Sequence, residues 1–476
     1  MDENGVVLRK VFREATFCLE HAEIWKGMVI NMEYRAHNYK EAEQYLNEVP
    51  RFTTKNPLEE TRGFYQYLLS AESETGLQET QLGIIIHVAG TNGKGSVCAY
   101  MDSICRESGY HTGLFTSPHL VTTRERFRID GEMVSEEEFV EAFNWLAEQI
   151  DCYHKHRESY QPTYFERLFF MMLWLFTKVG VEVTVLETGL GGRLDTTNVV
   201  EHPSLTMITE IGMDHMAYLG DTLEKIAGEK AGIIKSGVPV VYFDKRKETS
   251  VVFEQKAAEV GAECFKVSKN AYKINGIQKK CIDFSVCSRY YGYIGLQAHT
   301  TAPYQAENGA MAVCGAELLK KKGALGKINR ESIIRGIYNM RWAGRMEEIR
   351  PNVYIDGAHN EDGIRAFIDS VELMHGQSPV ILLFSAVNDK RYDSMIEMLT
   401  GVDCIDQFCI TQIPGSRGVR IEELTQQFAQ HTDKPVHAFE DFRDAYDFCR
   451  RAKKDAGTLY IVGSLYLAGL AEDILK

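Results

Sequence analysis

The sequence lacks the features of a secreted or membrane-spanning protein. Its eleven cysteines are scattered and include no C-x-x-C pair, so we expect reduced thiols that serve as small apolar residues in a reducing cytosol. The longest apolar run, LFFMMLWLF at residues 168–176, is too short to span a bilayer and predicts a buried helix. The first 31 residues contain no apolar core of the kind that a cleavable signal peptide requires. These absences favour a cytoplasmic protein with no membrane partner.

Positive charge is also scarce. The 53 lysines and arginines are outnumbered by 67 aspartates and glutamates, which gives a formal net charge of -14 and argues against nucleic acid as the main partner. The sequence contains no internal repeat and no low-complexity segment. Its 44% apolar and 25% charged residues are typical of a globular protein, and 476 residues are too many for one hydrophobic core. Two domains are therefore expected.

The beginning of the chain has two interpretations. The stretch MEYRAHNYKEAEQYLNEVPRF at residues 32–52 opens like an independent protein start. Residues 1–31 are therefore either a mis-assigned start, which we favour, or an extension, and we expect them to contribute nothing to activity.

Two alternating patterns predict two α/β units. From residue 82 to about residue 245, apolar runs of strand length alternate with helical patterns, which indicates right-handed crossovers and a parallel sheet with covered faces. A second pattern of this kind follows residues 339–344 (NMRWAG), and residues 272–300 alternate like hairpin strands. We expect a larger domain over residues 32–340 and a smaller, doubly wound domain over residues 345–476, which close about the segment between them.

The segment HVAGTNGKGSV at residues 87–97 predicts a phosphate site. It joins a β-branched run of strand length to a helical pattern, and backbone N–H groups at such a helix start bind anions, with a lysine in reach of the outer phosphates. A Walker A loop has its lysine directly before the hydroxyl residue, whereas here Gly95 separates Lys94 from Ser96. The alternative is a tight turn without a ligand, but a bare turn does not need a lysine between two glycines.

Four dispersed residues supply groups that a bound nucleotide requires. Ser117, Glu187 and His215 each follow a predicted strand, at the edge where parallel sheets bind ligands. The serine and glutamate oxygens suit Mg²⁺. Lys230 lies on the helix before the next strand. Three of the four have a simpler alternative: a cap or surface acid for Glu187, an ordinary hydrogen-bonded histidine for His215, and an ion pair with a glutamate of its own helix for Lys230.

Seven short motifs occur in order along residues 32–476, and together they are highly specific although each is weak alone. They are GTNGKGS (90–96), TSPHL (116–120), TYFE (163–166), ETGLGGRLDTTN (187–198), GMDH (212–215), GEKAGIIK (228–235) and DGAHN (356–360). Through these motifs the chain resembles the folylpolyglutamate synthase/dihydrofolate synthase family of the Mur ligase superfamily, in which the additional glycine after the lysine is a normal feature of the ATP loop. The resemblance implies a P-loop-type, mostly parallel ATPase domain followed by a smaller Rossmann-like domain.

The resemblance implies an ATP-dependent ligase that joins L-glutamate to a folate or dihydropteroate carboxylate. ATP would phosphorylate that carboxylate, and the glutamate amine would then displace phosphate from the acyl phosphate. The chain would act as a monomer. The sequence leaves open whether it performs the dihydrofolate synthase reaction, the folylpolyglutamate synthase reaction or both.

The resemblance also assigns residues to the nucleotide and to two magnesium ions. Glu187 would serve both ions, with His215 on the second. Lys230 would carry a CO₂-derived carbamate, because an ammonium group cannot bind a cation; carbamylation needs a neutral amine, which burial favours. The implied triphosphate loop comprises Thr91, Asn92, Gly93, Lys94, Gly95 and Ser96. The implied metal ligands are Ser96, Ser117, Glu187, His215 and Lys230.

Two stretches would line a pteroate pocket, where aromatic rings give stacking area and carboxylates suit pterin N–H donors. A core role for the aromatic pair in TYFE is the alternative. The implied pocket residues are Thr163, Tyr164, Phe165, Glu166, Leu194, Asp195 and Thr196.

The remaining implied residues complete the nucleotide site. Asn308 would contact adenine and Arg345 the phosphates, while Asp356 and His359 would close on the nucleotide from the second domain. Ser464 would help to hold the incoming glutamate. Surface roles are the alternative for all five residues.

Two other functions deserve comparison. A Mur-type ligase acting on a nucleotide-linked peptide precursor would need a recognition module for the uridine carrier before the ATP loop, and residues 32–81 are too few and too helical for one. A P-loop regulatory ATPase without ligase activity would not need His215 or Lys230, nor a second domain that delivers DGAHN.

Overall fold

The computed structural model describes residues 34–49, 56–155, 160–278, 280–288, 292–374, 376 and 378–476. The proposed extension at residues 1–31 lies outside the described residues. The chain forms a large α/β unit over residues 34–339 and a small α/β unit over residues 347–476. The segment 340–346 joins them and is called the linker below.

The large unit is built on an eight-stranded sheet with the order β4-β3-β2-β5-β1-β6-β7-β8. The pairs between β2 and β8 are parallel, and only the edge strands β3 and β4 pair antiparallel. The strands are β1 (Ile84–Ala89), β2 (Thr112–Phe115), β3 (Phe127–Ile129), β4 (Glu132–Met133), β5 (Val183–Glu187), β6 (Leu205–Ile208), β7 (Val240–Phe243) and β8 (Cys264–Val267).

Helices cover both faces of this sheet, which explains why its central strands are continuous apolar runs. The apolar run 168–176 lies within a buried helix, as predicted. The helices are α1 (Tyr39–Glu48), α2 (Leu58–Leu68), α3 (Lys94–Glu107), α4 (Glu136–His154), α5 (Tyr164–Val179), α6 (Met216–Leu219), α7 (Leu223–Ala231), α8 (Lys247–Val260), α9 (Tyr304–Lys321) and α10 (Arg330–Asn339).

A three-stranded antiparallel sheet, as predicted for residues 272–300, packs beside α9 and α10. Its strands are β9 (Tyr272–Gln278), β10 (Cys281–Ser288) and β11 (Gly292–Ala298). Phe284 and Ile294 of this sheet are buried in the same apolar core as α3, α9 and the central strands. The small sheet therefore extends the large unit's core.

The small unit contains a six-stranded sheet with the order β12-β13-β17-β14-β15-β16, parallel except for β12. The doubly wound prediction is confirmed, but the sequence did not indicate β12 or β16, because these edge strands are only partly buried and carry no continuous apolar run. The strands are β12 (Glu347–Arg350), β13 (Val353–Ile355), β14 (Val380–Phe384), β15 (Gln407–Thr411), β16 (Val436–Phe439) and β17 (Thr458–Val462). The helices are α11 (Glu361–Met374), α12 (Tyr392–Thr400), α13 (Ile421–His431), α14 (Phe442–Lys453) and α15 (Leu465–Leu475).

The sequence analysis expected reduced cysteines and no membrane-spanning helix. Every cysteine in the described part is a free thiol. Among the described helices, none is both long enough and apolar enough to cross a bilayer.

Candidate active site

A cleft of about 440 Å³ lies between the two units, at the carboxyl ends of β1, β2, β5 and β6. All the residues predicted for the site line this cleft except Leu194. The side chain of Leu194 is 43% exposed at the protein surface. Within the LDTT stretch, the next two residues, Asp195 and Thr196, line the cleft instead.

The phosphate loop runs from the end of β1 into α3. Gly93 precedes the helix with φ +86°, and a Cβ atom there would lie 2.5 Å from Oδ1 of Asn308, so both conformation and space require glycine. Lys94 folds back over the loop, where its Nζ donates to the carbonyl oxygens of Gly90 (3.1 Å) and Thr91 (3.3 Å). The loop thus places a cation and helix N–H groups on one side of the cleft.

Glu187, at the end of β5, faces this loop. Its carboxylate accepts the backbone N–H of Ser117 (3.0 Å), and the Ser117 hydroxyl accepts from Arg126 (2.9 Å). Burial raises the pKa of Glu187, while Lys94, the Ser117 N–H, Arg345 and Arg126 oppose that rise. The alternatives of a cap or a surface acid do not fit a carboxylate that is 4% exposed. In either protonation state, the Glu187 side chain lies within the electrostatic influence of three cations, Lys94, Arg345 and Arg126.

Lys230, on α7, is buried, and its Nζ donates to the carbonyl oxygen of Gly90 (2.7 Å). Burial, reinforced by Lys94, lowers the pKa of Lys230 to about 7. The alternative of a local ion pair is not what the structure contains: Glu229 pairs with Arg193 (2.7 Å) instead. A large part of the Lys230 amine is therefore neutral near pH 7, which is unusual for lysine.

Asp214, which the sequence analysis did not select, is a hub between the two units. Its carboxylate accepts from Lys390 (2.5 Å) and Asn360 (3.2 Å) of the small unit, and Nε2 of His359 lies 3.5 Å away. Burial opposes its ionisation, but His359, His215 and Lys390 outweigh burial and hold the pKa of Asp214 well below its usual range. The carboxylate is therefore ionised and joins three small-unit side chains to the large unit.

His215 begins the short helix α6 in a left-handed conformation with φ +50°. Its side chain is 37% exposed toward the cleft, and its Nε2 lies 3.9 Å from Asp214. Burial lowers the pKa of His215 to about 4, despite the raising effect of Asp214. The imidazole is therefore neutral at physiological pH, the form in which histidine binds metals.

Asp356, predicted to act on the nucleotide, has both oxygens engaged within the protein. Oδ2 accepts from the Tyr304 hydroxyl (2.6 Å) and the Met346 N–H (2.9 Å), and Oδ1 accepts from the Ala358 N–H (2.8 Å). Its side chain is 3% exposed. Asp356 therefore fixes the DGAHN loop and the start of the small unit. Arg345 lines the cleft beside it.

Residues 163–166 form the first turn of α5 at the other end of the cleft. Phe165 lies against Gly189, where a Cβ atom would be 2.7 Å from its ring. The carboxylate oxygens of Glu166 accept from Thr61, Asn56 and the backbone N–H of Thr163. Thr163 and Glu166 form the capping box of α5. The aromatic residues Tyr164 and Phe165 of this turn also line the cleft.

Asp195 behaves like Glu166. Its carboxylate accepts the backbone N–H of Leu190 (2.8 Å) and both the N–H and the hydroxyl of Thr197, so it organises the loop that carries Thr196 to the cleft. Tyr218 and Leu219, which the sequence analysis missed, add an apolar wall. No sequence signal marked them, because the wall forms only when α6 folds across the cleft.

Asn308 and Ser464 also line the cleft. Asn308 donates to Gln305 (3.1 Å), which in turn donates to the Ser96 hydroxyl (3.2 Å), so α9 is bonded to the phosphate loop. The Ser464 hydroxyl accepts from the N–H of Tyr466 and caps α15.

The chain is similar in sequence and in structure to known ligases. Residues 88–316 match the Mur ligase middle domain, and residues 344–465 match the Mur ligase glutamate ligase domain. The dihydrofolate synthase/folylpolyglutamate synthase of Bacillus subtilis is 34% identical over 394 residues, which cover 80% of this chain and 87% of that protein. The chain belongs to the folylpolyglutamate synthase/dihydrofolate synthase family.

Solved structures of this family have the same fold. E. coli FolC in complex with DHPP and ADP superimposes with a TM-score of 0.77 at 25% identity, over 93% of this chain and 99% of that one. An FPGS complex with AMPPCP and folate gives a TM-score of 0.77 at 27% identity, over 92% and 100% of the two chains. As a folylpolyglutamate/dihydrofolate synthase family member, the chain is an ATP-dependent ligase that joins glutamate to folate. The predicted fold and enzyme class are confirmed.

Proposed function

We propose that this ligase activates a folate or dihydropteroate carboxylate as an acyl phosphate and joins it to L-glutamate. A carboxylate oxygen attacks the γ-phosphorus of ATP, and ADP leaves with the electron pair of the broken P–O bond. The neutral glutamate amine then attacks the acyl carbon, loses a proton, and phosphate leaves. The observation that carries the proposal is that one cleft unites a phosphate loop, a buried carboxylate and an aromatic pocket.

The nucleotide would lie along the phosphate loop. Residues 91–96 would offer helix N–H groups to the β- and γ-phosphates, and Lys94 would exchange its loop carbonyls for phosphate oxygens. Asn308, which donates to Gln305, would contact adenine. Arg345 approaches from the small unit. Its guanidinium is held by the carbonyl oxygen of Gly344 (3.1 Å) and suits the charge that develops during phosphoryl transfer.

The residues present fit a magnesium site. The Ser96 and Ser117 hydroxyls, the Glu187 carboxylate and neutral His215 line one stretch of the cleft, and hard oxygen donors with phosphate and water are the environment that Mg²⁺ prefers. Within the described residues, no three His, Cys, Asp or Glu side chains form a ready-made metal cage. The two ions would therefore depend on phosphate oxygens and would bring charge neutralisation to the reacting groups.

Lys230 fits the proposed carbamate. Its amine is buried beside the loop carbonyl of Gly90 and has a pKa of about 7, so it offers the neutral nitrogen that CO₂ requires. A carbamate there would add an anion to a region that otherwise contains Glu187 and the cation Lys94, and could complete the shell of one magnesium ion.

The organic substrate would enter at the other end of the cleft. The Phe165 ring, Leu190 and Tyr218 provide flat apolar surface for a pterin. The carboxylate of the organic substrate would then point toward Arg126, which donates to the Ser117 hydroxyl beside Glu187. The incoming L-glutamate would bind on the small-unit side, near His359 and Ser464.

Closure of the two units completes the site in this proposal. The domains would span residues 32–340 and 345–476, with motion in the linker and water excluded from the acyl phosphate on closing. One chain supplies all the groups named, so we expect a monomer, and size-exclusion chromatography with light scattering tests that expectation. A cytoplasmic location remains a prediction.

An isotope experiment tests the reaction directly. Purified protein would receive ATP, Mg²⁺, L-glutamate and either dihydropteroate or tetrahydrofolate whose carboxylate is labelled with ¹⁸O. We expect a product heavier by one glutamyl residue and one ¹⁸O atom in the released phosphate. The two substrates, assayed separately, also decide between the dihydrofolate synthase and folylpolyglutamate synthase reactions.

Two outcomes would favour the alternatives. Glutamate-independent ATP hydrolysis with no ligated product from either substrate would indicate a regulatory ATPase. Ligation of an amino acid only to a different carboxylate would indicate a Mur-type ligase with another substrate. The Lys94→Ala variant should abolish product in the successful assay, which excludes a contaminating ligase.

A further inference from the structure

Gly95 lies against the linker. It is the additional residue that separates Lys94 from the hydroxyl of Ser96. Atoms Cζ2 and Nε1 of the Trp342 indole lie 3.0 Å from the position that a Cβ atom on Gly95 would take. Real Cβ atoms rarely approach a neighbour so closely, so an alanine at this position would push against the indole. Trp342 is half-buried and also packs on the core of the large unit.

The backbone gives no reason for glycine at this position. Gly90 and Gly93 have φ values of +153° and +86°, but Gly95 is not among the residues with positive φ and is the second residue of α3. Such a helical position intrinsically favours alanine over glycine. The additional glycine is therefore explained by the space that Trp342 occupies, not by the path of the chain.

Helix α10, which precedes the linker, is fixed on α3. The Ser103 hydroxyl on α3 donates to the carbonyl oxygen of Gly336 on α10 (2.8 Å), and a Cβ atom on Gly336 would lie 2.6 Å from Cα of Ile104. The Arg128 guanidinium lies 6.0 Å from the Trp342 ring centroid. Trp342 is thus held between the phosphate helix and the edge of the large sheet.

Gly344, two residues after Trp342 in the linker, is hydrogen-bonded to the small unit. The carbonyl oxygen of Gly344 accepts the N–H of Gly357 (2.8 Å), and its own N–H donates to Glu347 (2.8 Å). Only Ala343 separates a residue fixed on the large unit from one fixed on the small unit. Arg345, three residues beyond Trp342, lines the cleft.

We infer that Trp342 is a positioning residue for the ligase reaction: it fixes the linker on the phosphate loop at Gly95, so that Arg345 meets the bound triphosphate when the small unit turns about Ala343. This inference rests on the proposed nucleotide site. It also makes the indole a reporter, because phosphates that bind to the loop N–H groups lie on the same helix start that Trp342 contacts.

A double-mutant cycle between the loop and the linker tests the contact. In the wild-type background, Gly95→Ala should lower kcat/KM for ATP about tenfold, whereas in the Trp342→Leu background the same substitution should cost less than about twofold. Trp342→Leu alone should lower kcat with little change in KM for the folate substrate, since the pocket end of the cleft is untouched. Equal costs of Gly95→Ala in both backgrounds would overturn the inference.

Tryptophan fluorescence provides a readout that does not depend on turnover. The chain has four tryptophans, and Trp145 and Trp174 stack on each other with ring centroids 6.0 Å apart. Titration with a non-hydrolysable ATP analogue should change the emission of the wild type and of Trp174→Phe, the matched control, but not that of Trp342→Phe. A change that persists in Trp342→Phe refutes the reporter role.

These two measurements separate failure of the inference from failure of the proposed reaction. If the wild type binds the ATP analogue but forms no ligated product, the proposed reaction fails while the fluorescence result still decides whether Trp342 senses the nucleotide. Melting temperatures of all variants accompany the assays. A Trp342→Phe protein that melts with the wild type and retains full kcat would count against a positioning role.

Discussion

The hydroxyl of Tyr304 donates to Oδ2 of Asp356 over 2.6 Å and so bonds the first turn of α9 to the small unit. The same oxygen accepts the Met346 N–H, and the other oxygen accepts the Ala358 N–H. Burial raises the pKa of Asp356, while Arg345 and the Tyr304 hydrogen bond act in the opposite direction. One buried carboxylate therefore joins the linker, the DGAHN loop and α9 beside the cleft.

Replacing Tyr304 with phenylalanine tests the importance of this bond. We expect Tyr304→Phe to cost about 1 kcal/mol of stability but to lower kcat about tenfold, because the loop that carries His359 loses its tie to α9. Steady-state kinetics and urea unfolding measure the two effects. Tyr242→Phe is the matched control: its hydroxyl donates to Glu254 (2.7 Å) away from the cleft, so it should lose similar stability and retain kcat. Equal kinetic losses in the two variants would make the Tyr304 effect non-specific.

Asp214 offers a second test of communication between the units. Asp214→Asn keeps the shape but removes the charge that faces Lys390 and His359, and leaves the Lys390 ammonium, 10% exposed, without its partner. We expect kcat/KM to fall about 10- to 100-fold, and the loss to be much smaller when Lys390→Met is already present. The measurement is a four-variant kinetic cycle. Strictly additive losses would show that the ion pair does not act as a unit.

The sequence predicted residues whose role follows from the end of a strand. Ser117 and Glu187 were selected because parallel strands present their carboxyl ends to ligands, and both line the cleft. Asp214 lies beside His215 in a motif that was already noted, yet its importance depends on Lys390 and Asn360, which are far away along the chain. Such partners are set by how the two units pack, which no local pattern encodes.

The polar residues assigned to the pteroate pocket show a second limit of sequence reasoning. Glu166 and Asp195 are carboxylates at the cleft, but both cap nearby backbone N–H groups. A carboxylate near a helix start is favoured as a cap as well as a ligand, so residue type alone cannot distinguish the two roles. Gly95 shows the same limit, because the side chain that leaves no space for a Cβ atom there, Trp342, is far along the chain.

The carbamate proposal predicts a chemical signal at Lys230. In buffer with ¹³C-bicarbonate, ¹³C NMR should show a carbamate resonance in the wild type that is absent from Lys230→Met. That variant should fold normally yet lose at least about 100-fold in kcat, since an anion beside the metals is removed. Lys235→Met is the control, because Lys235 also has a partly buried amine, bonded to the carbonyl oxygen of Asn198 (3.1 Å). A wild-type spectrum without the resonance would leave Lys230 an unmodified structural residue.

His87 gives a prediction about acid stability. It is fully buried on β1, and its Nε2 lies 2.7 Å from the Thr197 hydroxyl, which donates to Asp195. Burial, with a smaller contribution from Lys235, lowers the pKa of His87 to about 3. The folded protein therefore excludes the proton that the unfolded chain binds below a pKa of about 6.5. The stabilisation from neutral His87 is complete above that pH and is lost progressively as the pH falls toward about 3.

A comparison of two histidine variants measures this loss. Between pH 7 and pH 5 the wild type should lose about 2 kcal/mol more than His87→Gln, because each pH unit below the unfolded pKa costs about 1.4 kcal/mol per excluded proton. Glutamine keeps an N–H donor for Thr197 but cannot titrate. Urea midpoints of the large unit, followed by circular dichroism, provide the measurement. His431→Gln, which replaces an exposed histidine at the end of α13, should follow the wild type. If His87→Gln follows the wild-type pH dependence as well, the imidazole is already protonated in the fold and the buried neutral state is wrong.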